Sequence, residues 1–258
     1  MHIFNDQELE LAEFLIKNNN IESLEDIYSS RIQDLAISWS YYSGKIEGNT
    51  YSFVETEILI KTGFSSEKKF DDAVMLKNLY NTFISEVAYI KQGNQEVINQ
   101  AFVKQIHSQL TKDLIHDGER GVFRTKSVRI TGTNYVPPTD VFQIQDKFAD
   151  IMHLQEQIEN PFEKAVYLHC NLARLQPFVD GNKRTSRMTE SICLMNENII
   201  PIYSVDIKDI KAYREALLAF YETENYTLYT EYLLSKKLQM LQEMKPNLFE
   251  ELSFKRKR

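Results

Sequence analysis

Between two segments with helical periodicity, the chain reads Gln176, Pro177, Phe178, Val179, Asp180, Gly181, Asn182, Lys183, Arg184, Thr185, Ser186, Arg187. Pro177 discourages continuation of the preceding helix, and Gly181 permits a backbone geometry that is closed to other residues. Asn182 tolerates such turns, so a new helix is predicted from about Lys183. The backbone N–H groups at the start of a helix, aided by its dipole, form an anion site. The stretch therefore predicts a loop that binds phosphate.

Three charged side chains of this loop suit a polyphosphate. Arg184 and Arg187 are three residues apart, so both leave the new helix on one side, over its first turn. Guanidinium groups bind phosphate oxygens in a fork geometry, and Asp180 is placed to hold a Mg²⁺ ion that bridges such oxygens. Taken alone, these residues also fit an ordinary turn between helices, with a surface ion pair between Asp180 and an arginine.

The composition of the 258 residues is that of a globular protein, with 43% hydrophobic and 26% charged residues. We expect one large helical domain, or such a domain with a small accessory lobe. No apolar run approaches the ~20 residues that a membrane span requires. No basic region followed by an apolar core opens the chain, so no secretory signal is predicted and a cytoplasmic location is expected.

Charge and cysteine usage narrow the classes of ligand. The formal net charge of -7 argues against nucleic acid as the main ligand, because such binding depends on clustered cations. The one basic cluster, Lys255 to Arg258, is expected to be a solvated end. Cys170 and Cys193 stand in apolar helical contexts and predict buried thiols in a reducing compartment. The five histidines lack metal-binding spacing, so no protein-ligated zinc is expected.

Apolar residues recur at three- and four-residue spacing over most of the chain, which predicts a mainly α fold. Helices are predicted over Asp6 to Asn18, Ser23 to Lys45, Ser52 to Thr62, Glu67 to Gln92, Asn94 to Leu110, Asp140 to Glu159, Pro161 to Leu175, Lys183 to Glu197, Lys208 to Thr223 and Leu228 to Met244. The exception is Ser127 to Val136, whose alternating pattern around Gly132 predicts a short β-hairpin or flap, closed by two prolines.

The predicted organisation has three parts. Residues 1–92 form an N-terminal helical region, 93–238 a core domain, and 239–258 the end of the last helix with a basic tail.

The loop resembles the signature of the Fic family, His-Pro-Phe-x-(Asp/Glu)-Gly-Asn-(Gly/Lys)-Arg-x-x-Arg. Eight of its nine specified positions are met, and Gln176 replaces the first, the histidine. A second match lies upstream, where Ser43 to Asn49 resembles the family's inhibitory motif, (Ser/Thr)-x-x-x-Glu-(Gly/Asn). The resemblance covers roughly Arg31 to Leu234, and the N-terminal position of the inhibitory motif is similar to that of class II Fic proteins.

Ser43 and Glu47 are one helical turn apart and would share a face. By resemblance, Glu47 pairs with Arg187 and blocks the seat of the γ-phosphate, so that ATP binds non-productively. On its own, the motif would indicate only a solvated carboxylate at a helix end.

The resemblance implies the Fic/Fido helical fold with a β-hairpin flap, and transfer of AMP from Mg-ATP to a Tyr, Ser or Thr hydroxyl of a protein. The target is expected to dock by strand addition on the flap near Val128 to Val136. Gly121 to Arg124 resembles a motif that precedes the flap. The residues expected to bind ATP and its phosphates are Phe178, Gly181, Asn182, Lys183, Arg184, Arg187, Ile130, Thr131 and Tyr213, with Asp180 holding Mg²⁺. Tyr213 and Tyr221 also fit plain core packing, and His107 and His169 fit satisfied residues of helix faces.

Two departures from the family pattern bear on the activity. Gln176 occupies the place of the histidine that takes the hydroxyl proton, and a carboxamide can orient a hydroxyl but cannot deprotonate it. Lys183 stands where many AMP-transferring members have glycine, and Doc-type members that transfer phosphate carry lysine there. The sequence thus leaves open a weakened adenylyltransferase, an inactive nucleotide-binding or interaction module, and a Doc-like phosphotransferase. It also leaves open self-modification, the target, homo-oligomerisation and whether Gln176 is natural.

Overall fold

The computed structural model describes residues 1–19, 24, 27–64, 67–201, 204 and 206–246. The helices of these residues are α1 (Asp6–Lys17), α2 (Ser29–Ile46), α3 (Phe53–Thr62), α4 (Phe70–Ile90), α5 (Gln100–Leu110), α6 (Val141–Gln155), α7 (Pro161–Leu175), α8 (Asn182–Asn196), α9 (Ile207–Thr223) and α10 (Thr227–Met244). A single turn of 3-10 helix, Asp117–Glu119, lies between α5 and α6. The predicted mainly α fold is confirmed.

Local sequence signals define several helix ends. The Ser52 side chain accepts from the backbone N–H of Glu55, and the Glu55 side chain bonds back to the backbone of Ser52, so a complete capping box starts α3. Gly63 ends the same helix in the left-handed region, at a φ of 75°. Asn160 caps α7, with Pro161 in its first turn.

Three predicted helix starts differ from the structure by three residues or more. Helix α5 begins at Gln100 instead of Asn94, because the Asn99 side chain accepts from the N–H of Phe102 and caps the helix there. Helix α4 begins at Phe70, three residues after the predicted Glu67, with Lys69 as its extended N-cap residue. Helix α2 begins at Ser29, and the predicted start at Ser23 lies outside the described residues, as does the tail from residue 247 onwards.

Helix α8 is the central helix of the fold. It packs against α7, α5 and α4, and its residues from Arg184 to Met195 are all buried. The main apolar core surrounds it and extends from Phe4 on the N-terminal side to Leu241 in α10. The core therefore draws on both sides of residue 92, and the predicted three-part division of the chain stays a prediction.

The segment predicted as a β-hairpin lies between α5 and α6. It turns at Thr131 and Gly132, with extended arms on either side, and no strand is assigned within residues 125–139, all of which the structure describes. The arms bond to other parts of the molecule instead of to each other. Thr133 and the N–H of Asn134 bond to Glu222 of α9, and Arg124 bonds to the carbonyls of Lys126 and Pro138. We refer to residues 125–139 as the flap.

Among the described residues, no helix is long and apolar enough to cross a bilayer.

Candidate functional site

The loop 176–181 connects α7 to α8 through two residues with positive φ. Gln176 ends α7 in the left-handed region, at φ 49° and ψ 57°, and Gly181 precedes α8 at a φ of 74°. A Cβ atom on Gly181 would lie 2.7 Å from Cγ2 of Thr111, closer than real Cβ contacts. Both the backbone angle and the space therefore require glycine here.

Asn182 fixes the shape of this loop through its side-chain amide. Its Oδ1 accepts from the N–H of Phe178 at 2.9 Å, and its Nδ2 donates to the carbonyl of Phe178 at 2.8 Å. The same Nδ2 donates to Oε1 of Gln176 at 3.2 Å, while Nε2 of Gln176 donates to the carbonyl of Ala173 at 2.6 Å. The Gln176 side chain is thus bonded at both its oxygen and its nitrogen.

His107 of α5 packs against the loop and bonds to its backbone. Its Nδ1 accepts from the N–H of Gly121 at 2.8 Å, so its proton is on Nε2, which donates to the carbonyl of Asp180 at 2.9 Å. Its ring stacks on Phe178 with 3.9 Å between ring centroids. Burial is the main reason why the pKa of His107 is lowered to about 4, and the positive charge of Arg184 acts in the same direction. His107 is therefore a neutral structural residue near pH 7.

Arg184, in the first turn of α8, is a buried cation with incomplete hydrogen bonding. Its side chain is 2% exposed, and Nη2 donates to Oδ2 of Asp180 at 2.8 Å. Its Nε and Nη1 atoms are buried and have no hydrogen-bond partner among the described residues. Helix α8 also begins without a side-chain cap. The ion pair between Asp180 and an arginine is thus present, yet two guanidinium nitrogens remain unsatisfied.

Arg187, one turn further along α8, is 2% exposed and uses all three of its nitrogens. Nε donates to the Ser43 hydroxyl at 3.0 Å, and Nη2 donates to the Ser43 carbonyl at 3.2 Å and to Oε1 of Glu47 at 2.8 Å. Nη1 donates to the Tyr213 hydroxyl at 3.0 Å. The contact between Glu47 and Arg187 that the sequence predicted is present.

Glu47 lies directly after α2 and faces a second cation. Its Oε2 is 3.3 Å from Nζ of Lys183, and the side chain is 16% exposed. Burial by itself would raise the pKa of Glu47, but the charges of Arg187, Lys183 and Arg184 outweigh it and lower the pKa to about 2. The carboxylate is therefore ionised. Arg214 of α9 holds the end of α2 in place by donating to the carbonyl of Ile46.

A cavity of about 400 Å³ opens beside these groups, within the size range of small-molecule sites. The predicted site residues that line it are Glu47, Ile130, Thr131, Gln176, Asp180, Gly181, Asn182, Lys183 and Tyr213. The lining also includes Val128, Arg129, Val179, Arg214, Leu217, Leu218 and Tyr221. Ser43, Phe178, Arg184 and Arg187 do not line it, because Ser43 and the arginines are buried next to it and Phe178 packs in the core.

Three residues beside the cavity make contacts that the sequence did not predict. Arg214 and Leu217 of α9 carry no motif. Leu217 lies four residues after Tyr213 and four before Tyr221, so it shares the face of α9 that these two tyrosines mark, and Arg214 precedes Leu217 by three residues. Arg124 is buried, and its Nε donates to the carbonyl of Gln176 at 2.6 Å. Its Nη1 and Nη2 donate to the carbonyls of Lys126 and Pro138, at 2.9 and 2.6 Å. One guanidinium thus joins the loop to both ends of the flap.

A metal ion would find few protein ligands here. Asp180 is the acidic residue of the loop and is 61% exposed, and no group of three or more potential ligands exists among the described residues. One carboxylate is consistent with Mg²⁺, which is commonly held by one or two carboxylates together with substrate phosphates and water. The loop therefore offers a divalent cation one carboxylate, that of Asp180.

Residues 97–194 match the model of the Fic/DOC family. Protein adenylyltransferase Fic of Culex quinquefasciatus is 27% identical over 169 residues, which are 63% of this chain and 32% of that protein. The protein of the same name from Nematostella vectensis is 27% identical over 168 residues, covering 63% of this chain and 38% of its own. The chain thus spans about a third of the length of these relatives.

Solved structures share the fold at lower identity. Fic-1 from C. elegans has a TM-score of 0.73 and 16% identity, covering 95% of this chain and 74% of its own. A Fic domain containing signaling protein from Bacteroides thetaiotaomicron has a TM-score of 0.70 and 18% identity, covering 90% and 95%. These similarities show that the helices of this chain are arranged in the fold of those proteins.

Proposed function

Because residues 97–194 match the model of the Fic/DOC family, we propose that this chain binds ATP with Mg²⁺ and transfers AMP to a protein hydroxyl, as an autoinhibited adenylyltransferase. The acceptor is a Tyr, Ser or Thr of another protein or of the chain itself. The names of the adenylyltransferase relatives support this class of reaction. The geometry of the loop supports the place where it occurs.

Buried Arg184 carries the proposal. A guanidinium with two buried nitrogens that lack partners is costly unless an anion completes its hydrogen bonds. The start of α8, which has no side-chain cap, offers backbone N–H groups and a favourable dipole at the same place. An anion with several oxygens would satisfy both, and the adjoining cavity has the volume for a nucleotide.

Asp180 is the residue that would hold Mg²⁺, together with phosphate oxygens. The ion would neutralise charge on the phosphates during transfer. Asp180 already bonds Arg184, so the loop can hold the phosphates between one acidic and one basic side chain.

Glu47 would make the resting state inactive. Its carboxylate occupies Arg187, which by the family resemblance seats the γ-phosphate, and it also neutralises Lys183 at the edge of the cavity. An anionic γ-phosphate would be repelled from the same place. ATP could still bind, but its α-phosphate would not face the acceptor.

Gln176 would limit the rate even after Glu47 moves. Its side chain is bonded to Asn182 and to the Ala173 carbonyl, and it has no group that can take a proton. A positioned general base typically contributes ~10²- to 10⁴-fold to a rate. Phosphate positioning by the loop would remain, so transfer is expected to be slow and not absent.

The test compares the unsubstituted chain with Glu47→Gly, Gln176→His and the double variant, each incubated with α-labelled and with γ-labelled ATP. Label from α-labelled ATP should rise in Glu47→Gly and rise further in the double variant, and mass spectrometry should locate an AMP adduct. Glu224→Gly is the matched control, because Glu224 also ends a helix and pairs with an arginine, Arg174, at 2.8 Å. If the double variant binds ATP and labels no protein, the chain is not a transferase.

Two alternatives are separated by the same experiment. The lysine at the edge of the cavity, Lys183, favours a Doc-like phosphotransferase, which would transfer label from γ-labelled ATP. The fully bonded Gln176 side chain favours a module that binds nucleotide without chemistry, which would show ATP binding in calorimetry and no covalent product in any variant.

A further inference from the structure

Arg187 has two sets of partners, which differ in where they come from. Ser43 and Glu47 both belong to the end of α2, the segment proposed to be inhibitory. Tyr213 of α9 is the remaining hydrogen-bond partner among the described residues. When Glu47 gives way to a nucleotide, Tyr213 is therefore the contact outside α2 that still orients the guanidinium.

The hydrogen bonds beyond Tyr213 have a single consistent direction. Arginine only donates, so the Tyr213 oxygen accepts from Nη1 and its own proton is available to the next partner. That partner is Nε2 of His169, which lies 2.9 Å from the Tyr213 hydroxyl oxygen. Because Nε2 then accepts, the ring proton of His169 is on Nδ1.

Nδ1 of His169 lies 2.9 Å from Oε2 of Glu190, and this contact has the distance of an ion pair without the geometry of a hydrogen bond. The Tyr229 hydroxyl donates to the same oxygen at 2.6 Å, and the Tyr229 ring stacks on His169 with 4.7 Å between centroids. Glu190 follows Arg187 by three residues on α8, so both ends of the series lie on one face of the same helix.

All members of the series are withdrawn from solvent. Tyr213 and Tyr229 are each 1% exposed, His169 is 0% exposed and Glu190 is 6% exposed. Burial is the main cause that raises the pKa of Tyr213, although Arg187 acts against it, so the hydroxyl keeps its proton. The hydrogen bonds from Arg187 to Tyr213 and from Tyr213 to His169 are made away from water, so they hold these three side chains in a fixed geometry.

We propose that Tyr213, His169 and Glu190 are positioning residues that keep Arg187 aimed at the terminal phosphate when Glu47 no longer contacts it. Tyr213 acts on Arg187 directly, and His169 and Glu190 act through Tyr213. This inference rests on the proposed function, since it requires Arg187 to bind the γ-phosphate. It gives the Tyr213 hydroxyl a specific task, which is to orient an arginine.

The test measures binding of ATP and of AMP to the full chain by calorimetry, in the Glu47→Gly background. AMP lacks the phosphate that Arg187 would contact. Tyr213→Phe keeps the ring and removes the hydroxyl, and we expect it to weaken ATP binding about tenfold while AMP binding is unchanged. Tyr226→Phe is the matched control, because its hydroxyl also accepts one hydrogen bond, from Asn171 at 2.8 Å, and does not line the cavity.

A second pair of variants tests the step through His169. His169→Gln retains an amide oxygen that can accept from Tyr213 and should keep most of the preference for ATP over AMP. His169→Leu removes the acceptor and should lose that preference about as far as Tyr213→Phe does. AMP binding reports whether each variant is folded.

The outcomes separate the two proposals. If the Glu47→Gly chain binds neither ATP nor AMP, the proposed function fails. If it binds ATP more tightly than AMP and Tyr213→Phe leaves that ratio unchanged, Arg187 is positioned without Tyr213 and the inference is overturned. An equal loss of ATP and AMP binding in Tyr213→Phe would also overturn it, because a general structural defect would then explain the loss.

Discussion

The carboxylate of Glu47 lies 2.8 Å from the guanidinium of Arg187, although 140 residues separate them in the chain. The pKa of Glu47, about 2, means that the contribution of this pair to stability is fully present above pH ~4.5 and is lost only as the pH falls towards 2. Changes of pH near neutrality will therefore not open the contact. The contact between Glu47 and Arg187 can be opened by a ligand or partner that competes for Arg187, or by a mutation that removes one of the two side chains.

Lys183→Met should weaken the hold on Glu47 partially. Of the two ion pairs that Glu47 makes, the pair with Lys183 is weaker than the pair with Arg187, since the lysine lies 3.3 Å away and is 32% exposed. At saturating ATP, where a weaker phosphate contact of residue 183 does not limit the rate, we expect the label transferred from α-labelled ATP to rise about threefold. The rise should be smaller than in Glu47→Gly, because a partly exposed ion pair contributes less than ~1 kcal/mol. Lys236→Met, which removes a partly buried ion pair with Asp209 in another part of the fold, should leave the labelling unchanged.

Gly181→Ala should destabilise the fold more than the same change at Gly63. Both glycines have positive φ, but a Cβ on Gly63 would meet no atom within 4 Å, whereas on Gly181 it would lie 2.7 Å from Thr111. We expect a loss of about 1 kcal/mol for Gly63→Ala and of about 2–3 kcal/mol for Gly181→Ala, measured by urea unfolding. Adding Thr111→Ser, which deletes the clashing methyl group, should recover part of the larger loss. Equal losses at both glycines would contradict the clash.

The stability of the chain should fall between pH 6.5 and pH 4 because of His107. Its pKa is lowered from 6.5 to about 4 in the folded state, so in this range the unfolded chain binds a proton that the folded chain does not. The free energy of unfolding should decrease by about 3 kcal/mol from pH 7 to pH 4 on account of this residue. Urea titrations at both pH values should show a decrease smaller by that amount in His107→Asn. The same pH dependence in both proteins would rule out a buried neutral His107.

Arg124→Lys should loosen the flap. A lysine can replace only part of the three carbonyl contacts that the guanidinium makes, and hydrogen bonds from a buried charged donor contribute about 1.5–3 kcal/mol each. We expect amide hydrogen exchange in residues 126–138 to quicken about tenfold or more. Arg120→Lys serves as the control, since Arg120 bonds to Ser108 and Asp117 and not to the flap.

Turn chemistry made parts of the fold predictable. Helix ends are marked by residues with known capping preferences. These are Ser52 with Glu55 at the start of α3, Gly63 at its end, and Asn160 with Pro161 at the start of α7. The predicted start of α5 at Asn94 was wrong, because a second asparagine at position 99 caps the helix instead.

The central position of α8 could not be predicted from hydropathy. The helix contains polar and charged residues that would suit a solvated surface. They are buried because many of them bond within the fold, as when Thr189 donates to the Thr185 carbonyl and Ser191 to the Arg187 carbonyl. Such pairings depend on the neighbouring helices and leave no periodic pattern in the sequence.

The site was predictable where a motif names a residue and not where a contact depends on tertiary structure. Glu47 and Arg187 came from two motifs, each of which would be ambiguous alone. The series through His169 and Glu190 left one usable signal, the three-residue spacing from Arg187 to Glu190. The flap was predicted as a hairpin from its alternation. The contacts that shape it come from Arg124, which lies just before that pattern, and from Glu222, which lies far from it in the chain.

The three hydrogen bonds of Arg124 bear on how far an acceptor hydroxyl would lie from the phosphates. Both ends of the flap and the carbonyl of Gln176 are hydrogen-bonded to one buried side chain. These bonds fix the distance between the flap and the loop. A target strand docked there would present its hydroxyls at a constant height above the loop. The length of the acceptor side chain would then decide which target residues reach the phosphates.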